Sequence, residues 1–165
     1  MARKVFYSFH YVPDHWRASQ VRQMGAIEGD SPVSDNDWEK VTKGGDAAIK
    51  KWIDDQMVGR TCAVVLAGTN TAGRKWIDYE IKKAWDDGKG VLAIHIHNLK
   101  NSQEQQVNKG GNPLSSVLVG KNNVALSTIA KSYDPPFSTS TNVYNHIKTN
   151  LATWVEDAIK IRNAN

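Results

Sequence analysis

The chain predicts an α/β protein with a central parallel sheet and helices on both faces, and three observations carry that prediction. Short apolar runs alternate with longer segments of helical periodicity, the pattern of repeated strand–helix–strand units. The run CAVVLAG (Cys62–Gly68) is continuously apolar and rich in β-branched residues, as a parallel strand covered on both faces must be. The 165 residues, 40% hydrophobic and 23% charged, suffice for one substantial core and are too few for two ordinary domains. Residues 1–165 therefore read as a single domain.

Val5–Phe9 is the first strand, with Ser8, Phe9, His10 and Tyr11 at its carboxyl end. Pro13-Asp14 starts a helix that spaces Trp16, Gln20 and Met24 along one side. Gly25–Asn36 is turn-rich, with a degenerate strand expected around Pro32-Val33. Asp46–Met57 is an amphipathic helix, because Ile49, Trp52, Ile53 and Met57 recur at helical spacing. After Cys62–Gly68, a helix runs from about Arg74 to Asp87 and stops at Gly88, and Val91–His97 is the next strand. A loop-rich stretch follows at about 98–142, with Gly110-Gly111, Pro113 and Pro135-Pro136; only Val124–Ile129 within it reads as a strand. A connection that long is expected to carry a lid or binding loops. A final helix at about 143–162 aligns Ile147, Leu151, Trp154, Val155 and Ala158 in one stripe.

The bulk numbers restrict the function classes. Lys and Arg exceed Asp and Glu by 21 − 17 = +4, which suits an anionic ligand. The cations are scattered instead of lining one face, so nucleic acid is not an expected partner. Cys62 is the lone cysteine, which leaves no disulfide framework and no cysteine metal cluster. The start, MARKVFYSFHY, passes from charge straight into a strand, and no stretch has the length of a membrane span. A cytoplasmic protein with no membrane partner is the expectation.

The chemistry concentrates in the helix that carries Trp76 and Glu80. At about 100° per residue, Ile77, Ile81, Ala84 and Trp85 fall within an arc of about 100°, the buried face. Glu80 lies about 40° outside that arc, and Trp76 about 40° further round on the same side. Glu80 is thus a boundary carboxylate beside an indole, one turn below a strand-to-helix crossing, where open α/β sheets bind ligands. Periodicity alone favours a solvated glutamate paired with Lys75 or Lys83, and Trp76 reads equally as packing.

The turn itself, Gly68–Lys75, falls short of a phosphate loop. Arg74 follows the second glycine and Lys75 comes next, so the lysine is displaced and the Ser/Thr that would hold magnesium is missing. A nucleotide triphosphatase is excluded. The helix start, with Thr69, Asn70 and Arg74 nearby, remains a candidate phosphate cradle. No G-x-G-x-x-G occurs, which argues against a dehydrogenase-type cofactor. His95 and His97 alternate along a strand but lack a third ligand, so no metal site is assigned.

These residues carry a family resemblance. FYSFHY (Phe6–Tyr11) resembles the first-strand motif of TIR domains. VVLAGTNTAGRKWIDYEI (Val64–Ile81) resembles their apolar strand, Ser/Thr-rich loop and W-x-x-x-E helix, with Trp76 and Glu80 at the family spacing. More closely, the chain resembles the TIR-like group that includes the Thoeris antiphage proteins of bacteria. The shared features are RKVFYSFHY, D-x-x-x-x-x-x-I in the second helix, R-x-W-x-x-Y-E-I-x-K, and an I-H-I strand followed by N-P. The likeness is close over residues 3 to 115 and loose beyond.

The resemblance implies a flavodoxin-like TIR fold and an enzyme that cleaves NAD between nicotinamide and ribose, with Glu80 as the catalytic residue. NAD is then substrate, with no separate cofactor. Thoeris relatives convert NAD into a cyclic ADP-ribose isomer that activates a partner effector, and a phage component can act as trigger. Ser8, Phe9, His10 and Tyr11 match the strand end that faces the nucleotide in enzymatic TIR domains. Trp38, in the loop Asp35–Lys43 that closes over substrate, is a candidate stacking surface for a base. Asn70 and Trp76 complete the candidate substrate contacts. The competing class is a TIR interaction module that signals by self-assembly as a homo-oligomer without catalysis. A receiver-like domain is set aside, since Ser8-Phe9-His10 and Leu66-Ala67-Gly68 stand where its acidic residues belong.

Overall fold

The computed structural model describes residues 3–24 and 42–165. In chain order the elements are strand β1 (Val5–Phe9), helix α1 (Tyr11–Arg22), helix α2 (Gly45–Met57), strand β2 (Cys62–Ala67), helix α3 (Lys75–Asp86) and strand β3 (Gly90–His95). The short strands β4 (Leu118–Val119), β5 (Val124–Ala125) and β6 (Ser132–Tyr133) follow, then helix α4 (Ser140–Asn163). Among the described residues the central sheet has four parallel strands in the order β1–β2–β3–β6. This is an α/β architecture of the flavodoxin-like TIR kind.

Side-chain alternation divides the core between the two faces of the sheet. Val5, Tyr7, Val64, Leu66, Leu92 and Ile94 point to α1 and α4, where Ala18, Val21, Ile147 and Leu151 cover them. Phe6, Ala63, Val65, Val91 and Ala93 point to α2 and α3. All six residues of β2 are buried, as its unbroken apolar run requires. The stripe Ile77, Ile81, Ala84, Trp85 is the buried face of α3, and Gly88 takes a left-handed φ of 80° just past its end.

Three expectations change. Helix α1 begins at Tyr11, and Trp16 stands 48% exposed on its outer side. Its inner side holds Asp14, Arg17, Ala18 and Val21, because Asp14 and Arg17 pair with each other and so enter the interior together. The expected strand Val124–Ile129 stops after Ala125: β5 pairs antiparallel with β4, and Leu126–Thr128 turns into a 3-10 helix. The strand that extends the main sheet is Ser132–Tyr133, aligned with Ala93 and Ile94. Strand β3 ends at His95, two residues before the expected boundary. The degenerate strand around Pro32-Val33 lies outside the described residues. No helix among the described residues is long and apolar enough to cross a membrane.

Candidate active site at the carboxyl end of the sheet

The turn from β2 into α3 is held by its own short side chains. Gly68 N–H donates to the buried Thr71 hydroxyl at 2.8 Å, and the Thr69 hydroxyl donates to Asn108 O at 2.6 Å. Gly73 takes the left-handed φ of 79° that reverses the chain before Arg74, the extended residue at the helix start. The first helical bond is Asp78 N–H to Arg74 O at 2.9 Å, so the N–H groups of Lys75, Trp76 and Ile77 precede the ladder and give the helix mouth a positive end.

A cleft of about 520 Å³ opens beside this helix. Glu80 lines it at 7% exposure, with Phe6, Phe9, Tyr11, Trp52 and Trp76 as aromatic walls and Arg22, Arg74 and Lys75 as cations. Lys75 pairs with Asp46 at 2.5 Å and Lys83 with Asp87 at 2.8 Å, so the partners expected for a solvated Glu80 are engaged with other carboxylates. The Trp76 ring meets Tyr79 edge-on at 5.8 Å and lies 4.8 Å below the Lys75 ammonium. Tyr79 in turn donates to Asp54 at 2.8 Å, which ties α3 to α2. His10 has its pKa lowered by burial and by the nearby Arg74 cation, which keeps the ring neutral at pH 7.

Five of the residues singled out from sequence share this cleft: Phe9, His10, Tyr11, Trp76 and Glu80. Ser8 is not among its lining residues; it is 1% exposed within β1, and its hydroxyl has no hydrogen-bond partner among the described residues. Asn70 lines a different cavity. Trp38 lies outside the described residues. Arg22 and Trp52 are additions that the sequence reading missed. Arg22 closes α1 with its guanidinium 5.9 Å from the Tyr7 ring centre, and Trp52 was legible only as one more residue of the α2 stripe.

The second cavity, about 710 Å³, lies on the other side of the same wall. Pro13, Asp14 and Arg17 of α1, Thr69 and Asn70 of the turn, and Asn98 with Gln106–Asn108 after β3 line it. Asp14 and Arg17 are 2% and 1% exposed, with Nη1 to Oδ1 at 3.3 Å. Burial pushes the Asp14 carboxyl pKa up, and the Arg17 guanidinium pulls it part of the way back.

His95 and His97 are buried with ring centres 6.0 Å apart. Burial lowers the pKa of both, and for each the Lys109 cation adds to the lowering while Asp134 opposes it. Among the described residues no group of three or more His, Cys, Asp or Glu is placed to hold a metal.

Comparison with known proteins adds two findings. The family model of the Thoeris protein ThsB TIR-like domain matches residues 6–101, which run from β1 through α3 to the residues after β3. The chain is also 32% identical over 123 residues to a Bacillus cereus (strain MSX-D12) protein named "Putative cyclic ADP-D-ribose synthase ThsB1". That match covers 68% of this chain and 62% of the relative, so the chain spans less than two thirds of the relative's length.

Proposed function

The chain belongs to the family of Thoeris ThsB TIR-like domains, and from that premise we propose that it is a NAD-consuming enzyme of bacterial antiphage defence. It cleaves the nicotinamide–ribose bond and closes ADP-ribose into a cyclic signalling nucleotide. The observation that carries this reading is Glu80: a carboxylate only 7% exposed, in a cleft with aromatic walls and a cationic rim.

The chemistry follows from the charges. The C1′–N bond breaks with its electron pair going to the pyridinium nitrogen, so nicotinamide leaves neutral and the ribose becomes oxocarbenium-like. A fixed, partly dry carboxylate stabilises that developing cation more than the ground state, in which the positive charge sits on the ring leaving the sugar. Glu80 also accepts hydrogen bonds from ribose hydroxyls. The pyrophosphate is assigned to Arg74, Arg22 and the N–H groups opening α3, which supply cations and helix-terminal donors. Trp76 and Tyr11 offer faces for the nicotinamide or adenine ring. His10, kept neutral, adds polarity to the cleft without opposing the cation.

Closure to a cyclic product needs an adenine nitrogen or a sugar hydroxyl held against the anomeric carbon, the nucleophile losing its proton as the new bond forms. Water reaching that carbon first yields linear ADP-ribose. An effector protein reached through the nucleotide is then the partner, a phage component is the trigger, and a cytoplasmic location follows from the substrate. Chromatography with mass analysis of the products formed from NAD tests the proposal. Nicotinamide with a cyclic isomer of ADP-ribose is the expected pair; linear ADP-ribose alone would make the protein a hydrolase.

A further inference from the structure

We infer that Tyr79 is a positioning residue of the Glu80 cleft: anchored by its hydroxyl on Asp54, it holds the Trp76 ring in one orientation for the substrate. The inference rests on the NAD reading for its consequence in catalysis, and on the contacts between α2 and α3 for its geometry.

Trp76 needs a constraint from outside its own backbone. It is the second residue of α3, half-buried, and lines the cleft. Helical side chains lean toward the N-terminus, where for Trp76 no earlier turn of helix lies beneath the ring. Its χ2, a torsion onto a flat ring, is also intrinsically broad. A stacking surface serves the reaction only when it stands in the productive orientation.

Two neighbours could supply that constraint, and they differ. The Lys75 ammonium lies 4.8 Å from the ring centre, but Lys75 and its partner Asp46 are 65% and 64% exposed. An exposed pair of flexible side chains restrains little. Tyr79, one turn further along α3, meets the indole at 78° with ring centres 5.8 Å apart. Its own ring is fixed from α2: the phenol donates to Asp54 Oδ1 at 2.8 Å, and the Lys50 ammonium stands 5.8 Å from the ring centre. Because the acceptor is a carboxylate, that hydrogen bond is of the stronger kind.

Tyr79 acts at one remove from the chemistry. It is not among the residues that line the cleft, and its hydroxyl is engaged with Asp54. The contacts run from Asp54 to Tyr79 to Trp76 and so into the cleft. Trp52, Trp76 and Tyr79 pack against one buried cluster, which joins Ile49 and Ile53 of α2 to Ile77 and Ile81 of α3. Helix α2 therefore supplies one aromatic wall, Trp52, and orients another.

Tyr79→Phe keeps the ring and removes the hydroxyl, and two measurements on the full chain read the result. In ¹H–¹⁵N spectra the indole N–H signal of Trp76, identified by its absence in Trp76→Phe, is expected to move or split. The signals of Trp16, Trp85 and Trp154 should stay in place. Since the phenyl ring remains, its influence on the Trp76 signal changes only when one of the two rings moves. In nicotinamide release, Tyr79→Phe is expected to lower kcat/KM for NAD about three- to fivefold, chiefly through KM, with no further loss when combined with Trp76→Ala. A purely structural tyrosine would weaken the enzyme equally in both backgrounds. An unmoved Trp76 signal overturns the inference, as does an unchanged kcat/KM in Tyr79→Phe or an equal loss in both backgrounds. A wild type that releases no nicotinamide defeats the NAD reading instead, and the indole signals then decide the positioning on their own.

Discussion

Two cavities share one wall and have opposite chemistry. The wall is the first turns of α1 together with the turn from β2 into α3. On one side it presents His10, Tyr11, Gly73 and Arg74 to the Glu80 cleft; on the other it presents Pro13, Asp14, Thr69 and Asn70 to the second cavity. The cleft side carries aromatic rings, three cations and the mouth of a helix, which suit a dinucleotide with a pyrophosphate. The far side carries the buried Asp14–Arg17 pair and the amide side chains of Asn70, Asn98, Gln106 and Asn108. The carboxyl end of the parallel sheet thus supplies position, while the side chains on each side of the wall decide the chemistry.

The comparison can be broken from either side. The largest effect belongs to Glu80→Ala, expected to lower nicotinamide release roughly 100- to 1,000-fold. Trp76→Ala is expected to lower kcat/KM for NAD about tenfold or more through lost stacking, read by steady-state kinetics.

Gly110→Ala should damage both sides together. Its Cβ would lie 2.4 Å from the carbonyl oxygens of Gly68 and Thr69, and backbone of that turn cannot yield cheaply. A loss of about 1–3 kcal/mol in urea unfolding is the expectation. Arg74→Ala sharpens the contrast in charge: KM for NAD should rise about tenfold with kcat little changed, and added salt should narrow the difference.

The smallest effect is a pH dependence. His10, His95 and His97 all have pKa values lowered from 6.5, chiefly by burial. The unfolded chain therefore binds protons that the folded chain refuses, and stability falls as pH drops through 6.5 toward the folded values. Asp14 has the opposite sign, since its raised value favours the folded state at acid pH and loses that contribution as pH rises. Melting temperature should be lower at about pH 5.5 than at 7.5, and His97→Gln should flatten the slope.

Much of the architecture was legible because local patterns determine it. The unbroken apolar run of β2, the stripe of α3 and the stop at Gly88 each follow from neighbours within a few residues. Glu80 was legible as a boundary carboxylate by the same geometry, and its neighbours Phe9, His10 and Tyr11 by their place at a strand end. What failed depends on distant partners. The burial of Asp14 and Arg17 reads as an exposed polar face until their mutual contact and the carbonyls of Leu99 and Gln105 are known. Strand β6 is two residues long and exists through its pairing with β3. Arg22 and Trp52 reach the cleft from helices far from the Trp76–Glu80 motif in sequence. Asn70 was grouped with Arg74 by proximity in sequence, and the left-handed turn at Gly73 sits between the residue facing one cavity and the residue facing the other.

The most direct test of the account is a time course of nicotinamide release from NAD by the wild-type chain and by Glu80→Gln, each with and without extract of phage-infected cells. The glutamine keeps the shape of the side chain and removes its charge. Release by the wild type and none above background by the variant is the expected result. Equal release by both would remove Glu80 from the chemistry, and no release by the wild type even with infected-cell extract would contradict the NAD-consuming reading itself.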